Sequence, residues 1–248
     1  MTANADYPEA PPDARPLEQP TRMALRFTAL DVCLADVSSD ERRATIARIV
    51  TAFDGLGAYD KPKGRADAYA LAIGDGEPPW FRSAYVLTRP ATNSNASSCG
   101  LVCRRVLSLT GVEDALLEPP YSYQREGGAI GQLHAVAVKM GALRTYAGAT
   151  PRRGDIVQVG PYRGQPRGQH IYTTVDDDGS SVDGGQSRPA VEGGSWGGGS
   201  DVRAVARTWH VDGGRLWTRS GSGERPVLWW ADADALRYTR SVLMPVRG

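Results

Sequence analysis

Apolar positions repeat at helical spacing in three places along the chain, and strand texture is confined to its second half. In "SSDERRATIARIVTAF", residues 38–53, Ile46, Ile49, Val50 and Phe53 fall at i, i+3, i+4 and i+7, which is one face of a helix. Ser38 with Glu41 three residues on fits a capping box. A second helix is predicted to begin near Cys99 in "SSCGLVCRRVL". Cys99, Val102, Cys103 and Val106 share its face, and Ser97 or Ser98 can cap it. A third, over about 129–141, carries Ile130, Leu133, Val136, Ala137 and Met140, with Gly141 near its end.

Beyond residue 150 the pattern changes to strands and turns. "PRRGDIVQVG" predicts a turn and a strand over about 154–159. "GQHIYTTVDDDGSSVDGG" predicts two short strands around an Asp-Asp-Asp-Gly turn, and "VRAVARTWHVDGGRLWTRS" a second hairpin with Asp-Gly-Gly at its tip. Residues 187–200 form a glycine-rich loop between them. "RPVLWWADADALRY" adds a last strand and a short helix. Helices first and an antiparallel meander afterwards predict an α+β fold, with N-terminal helices packed on a C-terminal antiparallel sheet. Residues 1–20, with five prolines, are expected to be a flexible leader. Residues 21–90 are either a substrate-selecting extension or the first layer of one domain, with 65–90 ambiguous between strand and helix. Residues 91–248 form the main domain.

Composition narrows the function classes. The 248 residues are 41% hydrophobic, enough for a sizeable core, and their formal net charge is +1. No basic field argues for nucleic acid. No apolar run approaches the roughly 18 residues of a membrane span. The N-terminal stretch has neither the basic nor the apolar region of a Sec signal. The chain is therefore expected to be made in the cytoplasm and to leave, if it does, by a route that reads no such signal. Three cysteines, Cys33, Cys99 and Cys103, do not suggest a disulfide framework.

Cys99 carries the chemical interest. A thiolate is the nucleophilic form of cysteine, and the unpaired N–H groups and dipole of a helix N-terminus favour it. The same N–H groups can hold a tetrahedral oxyanion. Ser97, Ser98 and Gly100 are small and leave room for substrate. A nucleophilic cysteine needs a base, and there are three histidines. His134 lies mid-helix and His210 just before a hairpin tip. His170 opens the "HIYTTV" strand, where a side chain can face a cleft. Asp183, on the following strand, can orient its imidazole if the two share a face; Gln186 is a second candidate, and Asp183 as a plain turn residue is the bland alternative. Asn93, Asn95 or Tyr85 could add a polar contact. Cys103 and Cys33 read as core residues. No Cys/His cluster supports a zinc site, and no cofactor is expected. "EGGSWGGGS" lacks the context of a phosphate loop. Trp229 and Trp230 are either a sugar-stacking platform or core.

The order of these features resembles the papain-like hydrolases of bacterial cell walls, the NlpC-type and CHAP families. "SSCGLV" is similar to their Cys-x-Gly helix start, "PRRGDIVQVG" to their Gly-Asp-Ile/Val element, and "HIYTTVDDDGSSVD" to their His strand and the strand after it. The resemblance covers about residues 80–240. It implies a papain-like fold, Cys99 as nucleophile, His170 as base and Asp183 as orienter, with Asp155 a structural acceptor. Ser98, Gly100 and Gln186 would line the substrate site. Two departures stand out: the usual Asp-Cys-Ser-Gly is Ser98-Cys99-Gly100-Leu101, and the third member in these families is often His, Asn or Glu. The activity implied is a cysteine amidase or endopeptidase cutting peptidoglycan peptides. A papain-like protease or deamidase toxin acting on a protein, and a binding module with an inert Cys99, are the alternatives. An effector exported by a specialised machine into the periplasm or cell wall would imply a cognate immunity protein.

Overall fold

The computed structural model describes residues 25–54, 98–113, 128–166, 168–186 and 201–247. Three helices form where apolar spacing predicts them. Helix α1 spans Ser39–Thr51, and Ser38 Oγ accepts the Glu41 N–H at 3.3 Å, satisfying one of the first-turn donors. Its apolar stripe is buried, with Ile49, Val50 and Phe53 fully enclosed. Helix α2 spans Ser98–Leu109 and α3 Gly128–Met140. Gly141, at φ +72°, ends α3. The N–H of Ala142 reaches the Ala137 carbonyl at 2.8 Å and that of Gly141 reaches Val138 at 3.0 Å, the paired closure that a left-handed residue permits at a helix end.

The strands are β1 Leu25–Cys33, β2 Leu143–Arg144, β3 Ile156–Val159, β4 His170–Thr174, β5 Ser181–Gln186, β6 Asp201–Val205, β7 Thr208–Asp212, β8 Arg215–Ser220, β9 Gly223–Ala231 and β10 Ser241–Arg247. A short 3-10 helix at Ala233–Ala235 follows β9. One sheet runs β6-β5-β4-β3-β9-β8-β7, with β2 pairing the end of β9 on the edge opposite β3, and every pairing in it is antiparallel. Helices and an antiparallel sheet make the fold α+β. The β7–β8 hairpin turns at Gly213 and Gly214, both at positive φ, which a two-residue turn matched to strand twist requires.

Alternation along the strands gives the sheet two different faces. Ile156, Ile171, Val182, Trp229 and Ala231 join α1, α2 and α3 in the larger core cluster. Their neighbours Val157, Val159, Tyr172 and Trp230, with Leu216, form a separate cluster on the opposite face. Trp229 and Trp230 are therefore both buried, one on each side, and do not form an exposed platform.

Three strands lie where no strand is predicted, the two-residue β2 and the pair β1 and β10. β1 and β10 pair antiparallel in a two-stranded sheet, with Leu25 opposite Arg247 and Ala29 opposite Leu243. Residues 25–33 mix apolar and polar types, and the strand they pair with lies more than 200 residues away. Pro245 fits β10 because that strand pairs on one side only. Cys33, expected in the core, is half-buried, and its thiol points at the Tyr238 carbonyl at 3.6 Å.

Residues 34–53 share the main core with α2 and the sheet, and one side chain fastens them there. Arg43 on α1 is 3% exposed. Its guanidinium donates to Asp155 at 2.8 Å, Asp232 at 2.7 Å, Asp234 at 2.8 Å and the Arg153 carbonyl at 2.8 Å. Asp155 also accepts from the N–H groups of Arg152 and Ala233. This acid of the "GDIV" element thus ties helix, loop and 3-10 helix together. Burial on this scale is tolerated because nearly every polar atom finds a partner. The division between an extension and a main domain near residue 90 lies outside the described residues. Among the described residues, no helix is long and apolar enough to cross a membrane.

Candidate active site

Cys99 lies in the first turn of α2, and His170 is the first residue of β4. The pairing of β4 with β5 sets Thr173 opposite Val182. His170 is three residues before Thr173 and Asp183 one after Val182, so both project from the face opposite to that pair. His170 Nε2 meets Asp183 Oδ2 at 2.6 Å. The imidazole also hydrogen-bonds the Cys99 side chain. With Nε2 committed to the carboxylate, Nδ1 is the nitrogen left for the thiol. Three residues separated by up to 84 positions are thereby joined in one chain of contacts, Cys99–His170–Asp183.

The helix carrying the cysteine is fixed to the strand carrying the histidine. Thr173 Oγ1 donates to Cys103 Sγ at 3.7 Å, one turn beyond Cys99 and three residues beyond His170. Cys103 is completely enclosed, and burial pushes its thiol well up. It is a packing residue, as its position on the apolar stripe suggests.

Asp183 has no solvent exposure. Besides His170 it accepts short hydrogen bonds from the Ser181 hydroxyl and Arg207 Nη2. Arg207 Nε donates to Ser181 Oγ at 2.9 Å, and its guanidinium lies 4.3 Å over the Tyr172 ring. Burial alone would push the Asp183 carboxyl up. The positive charges of Arg207 and His170, with the hydrogen bonds of His170 and Ser181, outweigh it and hold the carboxyl below its ordinary value. For His170 burial opposes the charged form. The charge and hydrogen bond of Asp183, then the hydrogen bond and charge of Cys99, overcome this and push the imidazole up to about 9. The arrangement favours an imidazolium at neutral pH, with the Cys99 side chain facing it.

A second buried arginine adjoins the group. Arg225 on β9 is 7% exposed. Nε donates to the Gly160 carbonyl at 2.8 Å and Nη2 to the Gly168 carbonyl at 2.6 Å. It lies 4.3 Å over the Tyr162 ring. It thus bridges both ends of the loop that leads into His170. Burial and the like charge of Arg207 hold it below the ordinary arginine range, while negative charge at Tyr162, Cys99 and Tyr172 works the other way.

The other expected site residues are placed less fully. Gly100 is buried in α2, and Ser98 opens that helix. Gln186 closes β5 opposite Asp201. The side chains of Ser98 and Gln186 lie outside the described residues, as do Ser97, Asn93, Asn95 and Tyr85. Among the histidines, His134 is exposed and packs edge-on against Trp229 at 5.2 Å. His210 stacks over Trp217 and lies 3.6 Å from Glu224. Arg207, Arg225, Ser181 and Tyr172 are not among the residues the sequence singles out. Each lies inside a strand or loop with no distinguishing motif and carries no local signal. Among the described residues, no group of three or more His, Cys, Asp and Glu side chains could hold a metal ion. The chain matches no protein-family model, and no curated protein or solved structure is found to be similar to it.

Proposed function

We propose that the protein is a cysteine hydrolase of amide bonds, with Cys99 as nucleophile, His170 as acid and base, and Asp183 as orienter. The observation that carries this reading is the imidazole held between the Asp183 carboxylate and the Cys99 side chain in the first turn of a helix. In the reaction the Cys99 thiolate adds to the amide carbonyl carbon. The oxyanion is met by first-turn N–H groups of α2, which have no intrahelical acceptor. The His170 imidazolium protonates the departing nitrogen as the C–N bond breaks, leaving a thioester. Neutral His170 then takes a proton from water, whose oxygen attacks the thioester and releases the acid and the thiol. Asp183 holds one tautomer and offsets the imidazolium charge.

The resemblance of "SSCGLV", "PRRGDIVQVG" and "HIYTTVDDDGSSVD" to NlpC-type and CHAP hydrolases, with their papain-like fold, favours peptidoglycan peptides as substrate. On that reading the protein acts at the cell wall, reaches it by a specialised secretion route, and is paired with an immunity protein that covers the site. Purified protein is to be incubated with peptidoglycan sacculi and the products compared by mass spectrometry with those of Cys99→Ala. New muropeptides from wild type alone are expected. Identical products from both would reject the wall substrate.

A further inference from the structure

We propose that Arg225 forms a carboxylate subsite beside Cys99, so that the preferred substrate carries a free carboxylate next to the scissile amide. The inference rests on Cys99 being the nucleophile, as proposed above, and adds the chemical class of what it attacks.

The two buried arginines of the site are partnered differently. Arg207 has an anion, Asp183, in direct contact. Arg225 is 7% exposed, yet its hydrogen bonds go to two neutral carbonyls, those of Gly160 and Gly168. No carboxylate among the described residues pairs with it, and its Nη1 donates to none of them. A buried cation is ordinarily matched by an anion, because carbonyl dipoles offset only part of the lost hydration. From the reaction centre Cys99, as a thiolate, would favour the charge on Arg225. That anion already has a partner in His170.

Charge counting makes the same point. In the ion-pair state Cys99 and Asp183 carry two negative charges, and His170, Arg207 and Arg225 carry three positive ones. The surplus sits on the planar guanidinium that is not in an ion pair, a geometry suited to a carboxylate. Its place is fixed from both sides. Tyr162 stacks on it, and the two carbonyl bonds clamp it to the loop running into His170. A fixed donor loses little freedom on binding.

Alkylation of Cys99 by iodoacetate and by iodoacetamide tests this without knowledge of the natural substrate. Both form the same carbon–sulfur bond with loss of iodide, and only the first carries a carboxylate. The ratio of the two rate constants for wild type, referred to the same ratio for free cysteine, is expected to be raised about tenfold, and to fall to within about threefold of free cysteine in Arg225→Gln. Arg225→Lys, which keeps the charge, is expected to lie between. A wild-type ratio no higher than that of free cysteine overturns the subsite, whatever the variants do. Should Cys99 alkylate fast with both reagents at that ordinary ratio, the subsite falls while the nucleophile stands. Failure of Cys99 to react with either reagent overturns both readings. Wild-type cleavage of muropeptides before and after conversion of their carboxylates to carboxamides gives the corresponding substrate result, with loss of about tenfold in kcat/KM expected.

Discussion

The Arg207–Asp183 pair gives the sharpest quantitative expectation. Asp183 has no exposure and Arg207 6%, so neither charge is screened by water. Replacing Arg207 with Met removes the arginine's charge from the carboxylate, while the hydrogen bonds from His170 and Ser181 stay. Breaking a buried pair by removing one partner costs about 3–5 kcal/mol, chiefly because the other charge stays buried and uncompensated. Asp183→Asn exposes Arg207 to the same fate, and removes the anion that keeps His170 charged. The double variant leaves no orphaned ion at this position. Its loss of stability is therefore expected to fall short of the sum of the two single losses by about 2–3 kcal/mol. Urea unfolding at pH 7, followed by the fluorescence of the six tryptophans, measures all four corners of the cycle. Losses that add to within about 0.5 kcal/mol would refute the reasoning, since they would mean that Asp183 does not depend on Arg207 for its charge.

Other expectations rest on different parts of the molecule. His170 is pushed up to about 9 from 6.5, so the folded state binds its proton more tightly than the unfolded chain. The resulting stability, of order 3 kcal/mol, is fully present below pH 6.5 and lost as pH rises through about 9; the difference in unfolding free energy between wild type and His170→Gln should shrink over that window, and a constant difference would contradict it. Gly179 has φ +108°, and a Cβ there would lie 2.6 Å from Trp209 Cε2. Gly179→Ala should cost about 2–4 kcal/mol in thermal or chemical unfolding, and Trp209→Leu in the same chain should recover part of it by removing the ring. Arg43→Met should destabilise by about 3–5 kcal/mol, because Asp155 is left buried without its cation; a change below about 1 kcal/mol would mean that α1 is held by apolar contacts alone.

The elements legible in the sequence are those whose signals are local. Ile46, Ile49, Val50 and Phe53 repeat at helical spacing and bury one face of α1. Gly213 and Gly214 sit at the tip of the β7–β8 hairpin because both positions need positive φ. Cys99, His170 and Asp183 were recognisable as a set because each occupies a describable local position: a helix start, a strand start and the neighbouring strand of a hairpin. Their contact depends on register, which follows from the short turn between β4 and β5. The β1–β10 pair is illegible for the opposite reason. Its partners are more than 200 residues apart in the chain, so no local turn joins them to set their register.

The buried arginines mark a different limit. A charged residue is ordinarily expected at the surface, and nothing near Arg43, Arg207 or Arg225 in sequence says otherwise. Each becomes buried because its acceptors arrive from elsewhere: Asp155, Asp232 and Asp234 for Arg43, Asp183 for Arg207, and the Gly160 and Gly168 carbonyls for Arg225. The sheet accommodates two of these cations because its faces divide the work. The face toward α2 is apolar and fixes the helix, through contacts such as Thr173 with Cys103. The opposite face carries Tyr172, Asp183 and Arg207, so charge can be gathered around His170 without entering the main core. A consequence follows for the variants of this site. Substitutions at Arg207 should alter His170 through its carboxylate partner. Substitutions at Cys103 should act by shifting α2 along β4, changing the distance between Cys99 and His170 and leaving the charge of neither partner altered. Alkylation rates of Cys99 against pH separate the two effects. Cys103→Val should lower the rate across the profile with little movement of its inflection, whereas Arg207→Met should move the inflection itself.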